Sequence, residues 1–499
     1  MKHGKQMFLG IDLGTSAIKM VLIDEQKKVL AQISKEYEAA QPENGFNEID
    51  PTVWFDSMIK GMEEILQGTN KSLLKGIGVT GQMHTLITLN KDGEAIRPAI
   101  MWNDMRTSNL IPELRKQMVG FPEGDYLART ISTGSPAANL YWMRINEPEK
   151  FNQIKKFLIG PDYLVYCLTG TYGTDYCEAS TSCLFQIKER KWSTEMRKLI
   201  GLTEEMYPQV RGSALPAGIL RKEIAKRLSL EQEICVLTGT GDNLATAIST
   251  GCLGRRYPVI SLGTSGVFMM PVQNIKLESK GKIILFSFDN QSYSYLLQGA
   301  VQSNGSTFDW WVKGILGEKN FTKVDKIVDI DSSSDNGVLF YPHLMGDKTL
   351  YADPNIRGAF IGLSAETNRS DMLYAVIEGL CFSFRELAER MDLPLSQFGS
   401  VKAVGGGAKS KVWMQTLANV LNISIEQMDG MIGPAFGIAL LTAYCCGCFE
   451  SLEQISEGTV NIKKRFIPQA DMVAACERKY RKYLRIQKGL QYIEEEIVL

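Results

Sequence analysis

Two copies of the tetrapeptide Leu-Gly-Thr-Ser lie half the chain apart, at Leu13–Ser16 and Leu262–Ser265 of the 499 residues. Each copy stands between two apolar segments, a pattern that predicts a strand, a tight turn and a second strand. Backbone N–H groups in a turn of Gly, Thr and Ser can point at the oxygens of a phosphate group. A repeat of this length predicts two similar domains that face one another across a shared phosphate site.

The alternative for either turn is an ordinary hairpin without a ligand, because Gly, Thr and Ser are common turn residues. The half-chain spacing and the matched flanking strands favour the phosphate interpretation. Asp12 precedes only the first copy, and Ser261 stands at the corresponding place in the second. A carboxylate at Asp12 could hold Mg²⁺, mostly through water. Lys19 on the return strand either reaches a phosphate or is a solvated surface charge.

A second carboxylate, Asp242, follows a predicted strand and a Gly-Thr-Gly turn and opens an uncharged helix. It either caps the helix or accepts a proton from a substrate hydroxyl, and both roles are compatible at a helix N-terminus. General-base help of this kind is worth about 10²–10⁴ in rate. His84 is one of three histidines and follows a strand in a Gly-Gln-Met-His run. That setting favours a hydrogen bond to a polar ligand over metal ligation, because no second histidine is near in sequence.

The surrounding elements predict α/β domains, because strands alternate with helices along the chain. Asp50 and Pro51 predict the start of a helix that Gly68 ends. The segment Gly405–Gly407 stands between a short strand and a helix, where glycine lets a ligand approach the backbone closely. It departs from the G-x-G-x-x-G pattern, so the sequence gives little support for a dinucleotide-binding fold.

Composition excludes some classes of partner. The net charge is −1 and the isoelectric point about 6.4, so no basic footprint indicates nucleic acid. Met1–Gln6 runs directly into the first strand without a signal peptide, which predicts a cytoplasmic location. The uncharged stretch Met431–Phe449 is predicted to be an interior helix rather than a membrane span. Cys445 and Cys448 form an isolated C-x-x-C, which favours buried packing at a helix end over metal or redox chemistry.

Taken together, these residues resemble the FGGY carbohydrate kinases, and within that family most closely the xylulokinases. The resemblance covers nearly the whole chain. It rests on the segments GIDLGTSAIK (Gly10–Lys19), GQMH (Gly81–His84), RPAIMWNDMR (Arg97–Arg106), PDYL (Pro161–Leu164), LTG (Leu168–Gly170), GTGDN (Gly239–Asn243), SLGTSGV (Ser261–Val267) and GGGAKSKVWMQ (Gly405–Gln415). The combination of GQMH with RPAIMWND is the most discriminating, since glycerol kinases differ there.

The resemblance implies an α/β fold of two actin-like, ribonuclease H-like domains related by internal duplication, with the active site in the cleft between them. We place the domains at residues 1–251, with the sugar side and the first phosphate turn, and 252–499, with the nucleotide side and the second turn. The implied ligands are ATP, Mg²⁺ and a small sugar. The resemblance suggests a homodimer, and no nucleic-acid or membrane partner is expected.

The family's roles transfer position by position. Asp242 is implied as the catalytic base, and Asp12 as the carboxylate on the Mg²⁺ side. Phosphate and nucleotide contacts are implied at Thr15, Ser16, Thr264, Gly305, Gly406, Gly407 and Ser410, and Lys19 joins them by its place on the return strand. Sugar contacts are implied at Met83, His84, Asn103 and Asn243.

The implied reaction is ATP-dependent phosphorylation of D-xylulose to D-xylulose 5-phosphate. The alternative within the family is a kinase for another polyol, ketose or sugar acid, such as ribulose or gluconate. The alternative from a different class is an actin- or Hsp70-like nucleotide switch. Such a switch would also have the two matched turns, but it does not account for the GQMH segment or for Asp242. Two departures bear on the sugar more than on phosphoryl transfer. Thr85 replaces the glycine usual after GQMH, and Gly346-Asp347-Lys348-Thr349-Leu350 replaces the common G-E-R-T-P.

Overall fold

The computed structural model describes residues 5–255, 257–318, 324–328, 336–347, 349–351, 353, 356–393 and 395–497. The strands are β1 Met7–Leu13, β2 Ala17–Asp24, β3 Val29–Glu36, β4 Glu48–Ile49, β5 Leu74–Gly81, β6 Leu86–Leu89, β7 Ala99–Ile100, β8 Lys156–Ile159, β9 Gly173–Asp175, β10 Phe185–Gln186, β11 Lys191–Trp192, β12 Gln209–Arg211, β13 Pro216–Ile219, β14 Cys235–Leu237, β15 Thr240–Gly241, β16 Val259–Leu262, β17 Gly266–Val272, β18 Lys282–Ser287, β19 Tyr293–Val301, β20 Leu339–Tyr341, β21 Ala359–Ile361, β22 Ser400–Val404, β23 Ser424–Asp429 and β24 Asn461–Phe466.

The α-helices in the described residues are Pro51–Ile65, Ile111–Gln117, Gly124–Thr130, Pro136–Asn146, Pro148–Phe151, Asp162–Thr169, Tyr176–Thr181, Thr194–Ile200, Lys222–Leu228, Asp242–Thr250, Cys252–Arg255, Gly305–Asp309, Val324–Ile327, Arg369–Arg390, Lys411–Leu421, Pro434–Cys445, Leu452–Ser456 and Ala470–Ile497. A π-helical turn, Trp310–Ile315, continues the Gly305–Asp309 helix.

Two large sheets repeat one topology. In the first, the strand order β3-β2-β1-β5-β14 joins three antiparallel strands to two that run parallel to β1. In the second, the order β19-β17-β16-β22-β23 does the same around β16. Both sheets thus have the 3-2-1-4-5 arrangement of ribonuclease H-like domains. The predicted fold class, a duplicated actin-like α/β fold, is confirmed.

The central strand β1 is buried on both faces, as its apolar sequence predicts. Leu9 and Ile11 enter a core with the Pro51–Ile65 helix, and Phe8 enters a second core with the Pro434–Cys445 helix. Gly10 allows the second helix to approach the strand. A Cβ atom at this position would lie 2.0 Å from the carbonyl oxygen of Ala435.

The uncharged stretch Met431–Phe449 is an interior helix, as predicted. It forms the Pro434–Cys445 helix, whose Ala435–Ala443 segment is buried against the first sheet. This helix comes from the second half of the chain and packs on the sheet of the first half. The domain boundary between residues 251 and 252 stays a prediction. Within the described residues, no helix is both long and apolar enough to cross a bilayer.

The predicted first helix begins as expected. The side chain of Asp50 accepts from the Thr52 N–H at 2.9 Å, and Pro51 is the first helical residue. This is the arrangement in which an Asp satisfies a free N–H group and a proline costs no hydrogen bond. Gly68 follows the helix end with φ +73°.

The cysteines at the end of the Pro434–Cys445 helix differ from the prediction in their burial. Cys445 and Cys448 are partly buried rather than buried, because the helix ends here and the chain turns outward at Gly447. Cys235 and Cys446 are also partly buried, and they pack against the same apolar core as Cys445 and Cys448. Among the described residues no group of three potential ligands could hold a metal ion.

Candidate active site

The first predicted phosphate turn, Leu13–Ser16, closes the β1–β2 hairpin. The hydroxyl of Tyr37 donates to the carbonyl of Gly14. The indole Nε1–H of Trp102 donates to Oγ1 of Thr15 at 3.0 Å. Thr15 is partly buried and Ser16 is exposed. Hydrogen bonds therefore hold the turn at Gly14 and Thr15, whereas Ser16 is accessible to solvent.

Asp12 and Asp242 reach the same end of the first sheet. Asp12 lies opposite Lys19 on β2 and beside Thr80 on β5. Thr240 on β15 pairs with Thr80 from the other side of β5, and Asp242 follows at the start of its helix. Because β1, β5 and β15 run parallel, their ends bring the two carboxylates to one edge of the sheet.

The electrostatics of this pair are unusual. Burial, and then the negative charge of Asp242, raise the pKa of Asp12 to about 8, while Lys19 opposes the rise. Burial also raises the pKa of Asp242 to about 7, against the backbone N–H groups that start the helix. A carboxylate with a pKa near neutrality is suited to accept and release a proton.

This pair fits a hard divalent cation. Two carboxylates on one side of a buried site repel one another, and oxygen ligands suit Mg²⁺. In the described part of the chain, no cluster of three ligating side chains surrounds Asp12. That is compatible with Mg²⁺, which keeps several waters and binds substrate phosphates rather than an all-protein cage.

The predicted sugar residues Met83 and Asn243 meet beside Asp242. The Nδ2 atom of Asn243 lies 3.3 Å from the Met83 sulfur. A Cβ atom on Gly241 would lie 2.7 Å from Cγ of Met83, so the loop after β5 presses on the residue before Asp242. The structure thus brings these predicted sugar and base residues together.

His84 and Asn103 lie in adjoining loops. His84 has φ +72°, a left-handed conformation that is costly for a residue with a side chain. Thr85 follows it, and its hydroxyl accepts from the Trp102 N–H at 3.2 Å. This contact ties the His84 loop to the segment that carries Asn103. Both residues are partly buried.

The second predicted phosphate turn, Leu262–Ser265, meets two of the predicted nucleotide segments. The Gly305 N–H donates to the Gly263 carbonyl at 3.0 Å, and the Ser306 N–H donates to that of Thr264 at 3.0 Å. A Cβ atom on Gly405 would lie 2.7 Å from the Leu262 carbonyl oxygen. Glycine is needed here because three backbone segments converge.

The remaining nucleotide-side residues differ in how accessible they are. Thr264 and Gly406 are exposed, and a Cβ atom on Gly406 would meet nothing within 4 Å. Gly407 packs against the Trp413 ring. The Ser410 hydroxyl accepts from the Trp413 N–H at 3.2 Å and donates to Asp325 at 2.6 Å. Ser410 therefore caps the Lys411–Leu421 helix, and its role toward a nucleotide stays a prediction.

Sequence reasoning missed Glu178, which lies against Gly241, as does the predicted sugar residue Met83. Its carboxyl group is fully buried, and its Oε1 would lie 2.8 Å from a Cβ atom on Gly241. Burial, and then the charges of Asp162, Asp175 and Asp242, hold the pKa of Glu178 well above its usual range. Burial and the neighbouring acids therefore favour the protonated form of this carboxyl group. The sequence offers no local signal for it, because an acid in a short helix is ordinarily solvated.

Both departures from the family pattern have structural roles. Thr85 anchors Trp102, as described above. Asp347 Oδ1 accepts from the N–H groups of Leu350 and Tyr351 at 2.7 and 2.8 Å, and Thr349 accepts from the Ala300 N–H at 3.1 Å. This segment therefore fixes its own turn and ties it to β19. Lys348 lies outside the described residues.

Comparison with known proteins defines the class. The family model for the N-terminal domain of FGGY carbohydrate kinases matches residues 7–249, and that for the C-terminal domain matches residues 259–446. The chain belongs to the FGGY family of carbohydrate kinases. It is a phosphotransferase whose acceptor is an alcohol group, and sugar kinases of this family use ATP as a substrate.

Several xylulose kinases are similar to this chain over nearly its whole length. The chain is 31% identical to the xylulose kinase of Bacillus subtilis, over 97% of this chain and 96% of that protein. It is 30% identical to the xylulose kinase of Staphylococcus xylosus, over 92% and 95%. The crystal structure of a "xyloylose kinase" from Brucella ovis superimposes with a TM-score of 0.89 at 30% identity, covering 98% of this chain and 100% of that one.

Proposed function

We propose that this protein transfers the terminal phosphoryl group of ATP to D-xylulose and forms D-xylulose 5-phosphate. The observation that carries the proposal is the position of Asp242, which begins its helix at the sheet edge that also holds Asp12 and precedes Asn243, the residue in contact with Met83. The xylulose kinases among its relatives support a pentulose as the acceptor. A cytoplasmic location and a homodimer stay predictions from the sequence.

In the proposed reaction, Asp242 accepts the proton of the terminal sugar hydroxyl as that oxygen attacks the γ-phosphorus. The bond between the γ-phosphorus and the bridging oxygen breaks, and ADP leaves with its electron pair. Phosphoryl transfer of this type depends mostly on positioning and on stabilising charge on the phosphoryl oxygens. The raised pKa of Asp242 places its proton affinity between those of a free carboxylate and the alkoxide that it helps to form.

The other predicted residues position the substrates. The phosphate oxygens are contacted by Thr15, Ser16 and Thr264, with Lys19 as a nearby positive charge. The nucleotide is bounded by Gly305, Gly406, Gly407 and Ser410. The sugar is bounded by Met83, His84, Asn103 and Asn243. Two sets of contacts support the assignment: the second turn meets the Gly305 and Gly405 segments, and Asn243 meets Met83.

Asp12 would hold Mg²⁺ through water. When bound, Mg²⁺ supplies the positive charge that neutralises the phosphate oxygens. The structural support is the raised pKa of Asp12, since a buried carboxylate beside Asp242 is stabilised by a cation.

The test is an ADP-release assay with D-xylulose, D-ribulose, gluconate, glycerol and no sugar. The proposal expects strong stimulation by D-xylulose and a product with phosphate on its terminal carbon. Strong activity with another sugar and none with a pentulose would move the assignment to a different kinase of this family. Slow ATP hydrolysis that no sugar changes would favour the nucleotide switch.

A further inference from the structure

The second half of the chain contributes a strand to the sugar side of the site. The strand β18 lies at the edge of the second sheet, and residues of the first half satisfy its outer edge. The hydroxyl of Tyr126 accepts from the Ile283 N–H at 2.9 Å and donates to the Ile283 carbonyl at 3.2 Å. Ser180 Oγ accepts from the Leu285 N–H at 3.0 Å. The register of β18 is thereby fixed, and with it the position of its first residue, Lys282.

Lys282 is placed against His84. Its Nζ atom lies 2.8 Å from Nε2 of the imidazole, across a separation of 198 residues. An ammonium group can only donate hydrogen bonds. Nε2 must therefore accept, and the proton of the neutral imidazole must reside on Nδ1.

We infer that Lys282 is a positioning residue of the sugar site, which holds His84 as the neutral tautomer protonated at Nδ1. The contact thereby holds the His84 ring in one orientation and one tautomer beside Met83 in the predicted sugar loop. The sugar in this statement rests on the proposed function, whereas the contact between Lys282 and His84 does not. The sugar site is therefore built from both halves of the chain.

Nitrogen NMR with ring-¹⁵N-labelled histidine reads the tautomer directly. The full chain has three histidines, so the spectrum is small, and the variant His84→Gln assigns the signal. Wild-type His84 should be protonated at Nδ1 and bare at Nε2. In Lys282→Met the tautomer should become mixed or the ring should take up a second proton. A wild-type ring protonated at Nε2, or a spectrum that Lys282→Met leaves unchanged, would overturn the inference.

Steady-state kinetics tests the consequence. Lys282→Met should raise the KM for the sugar about 10–100-fold, as for loss of a charged hydrogen-bond partner, with kcat changed less than about threefold and the KM for ATP unchanged. Lys280→Met is the matched control, because Lys280 is exposed two residues earlier. It should change neither constant. A fall in kcat with an unchanged KM would contradict a role in holding the sugar.

A double-mutant cycle separates positioning from an independent effect. If Lys282 acts through His84, adding Lys282→Met to His84→Gln should raise the KM for the sugar by less than a further factor of about two. If the KM increases of the two single variants multiply in the double variant, the inference is overturned. Thermal melting checks that each variant folds, and Lys282→Gln carries the same tests if the methionine variant does not fold.

Failure of the proposed function would look different. If D-xylulose is not a substrate and the NMR result holds, the substrate assignment fails and the role of Lys282 stands for the sugar that is active. If D-xylulose is a good substrate and Lys282→Met changes neither the tautomer nor the KM, the role of Lys282 fails and the reaction stands.

Discussion

Asp12 and Asp242 act on one another through space, although they are 230 residues apart in the sequence. After burial, the negative charge of Asp242 is the largest cause that raises the pKa of Asp12, to about 8. Two carboxylates at one sheet edge store repulsion that a bound cation relieves. The charge of the proposed base, Asp242, therefore affects the protonation of Asp12, the proposed Mg²⁺ residue.

The first prediction concerns Asp12 and Mg²⁺. The pKa of Asp12 is raised in the folded state from 3.8 to about 8. The folded protein therefore binds the extra proton, and this group's contribution to stability falls as the pH rises from about 4 to about 8. At pH 8 without metal, Asp12→Asn should raise the free energy of unfolding by about 1–3 kcal/mol. Mg²⁺ should raise the melting temperature of the wild type but not of the variant.

Asp56→Asn is the matched control for that measurement, because Asp56 is exposed on the first helix. It should leave both the pH dependence and the Mg²⁺ response unchanged. A wild-type protein that Mg²⁺ stabilises equally at pH 5 and pH 8 would argue against metal binding by an ionised Asp12.

The second prediction concerns Glu178. Burial and the charges of neighbouring acids raise the pKa of its carboxyl group well above the usual range, which favours the protonated form. Glu178→Gln should therefore change the melting temperature and kcat very little, since the amide has the shape of the neutral acid. Glu178→Ala should destabilise the protein by about 2–4 kcal/mol through a cavity beside Gly241. Denaturant unfolding measures the free energy of unfolding of both variants. A severe loss of stability in Glu178→Gln would show that the charge of Glu178 is required.

The third prediction concerns the contact between the first sheet and the Pro434–Cys445 helix. Gly10→Ala places a methyl group 2.0 Å from the Ala435 carbonyl oxygen, so strand and helix must move apart. The expected loss is about 1–3 kcal/mol or more. Gly399→Ala is the control, because its Cβ would meet no atom within 4 Å. Equal stabilities of the two variants would contradict the close packing.

The local pattern of the sequence predicted the duplicated domains, and the family resemblance predicted the fold type and several groupings at the site. The matched turns at Leu13–Ser16 and Leu262–Ser265 indicated the repeat, and Gly241–Asp242 indicated a helix start at a strand end. The family resemblance placed Met83 and Asn243 near one another, and the two side chains are in contact. Each of these features depends on residues close in the chain or on a recurring motif.

What the sequence did not reveal depends on tertiary contacts. Lys282 reads as an ordinary charge at a strand start, and only the docking of β18 on the first half places it at His84. Glu178 reads as a helix-surface acid, and only the packing around Gly241 buries it. The thiols at the helix end were expected to be buried, whereas the outward turn at Gly447 leaves them partly exposed.

The most direct measurement is sugar-dependent ADP formation by Asp242→Asn, beside ATP binding to the same preparation by calorimetry. The substitution keeps the shape of the side chain and removes its ability to take a proton. The account predicts a fall in kcat of about 10²–10⁴, with ATP affinity within about threefold of the wild type. Near-normal kcat in a variant that binds ATP normally would contradict the role of Asp242 as the base.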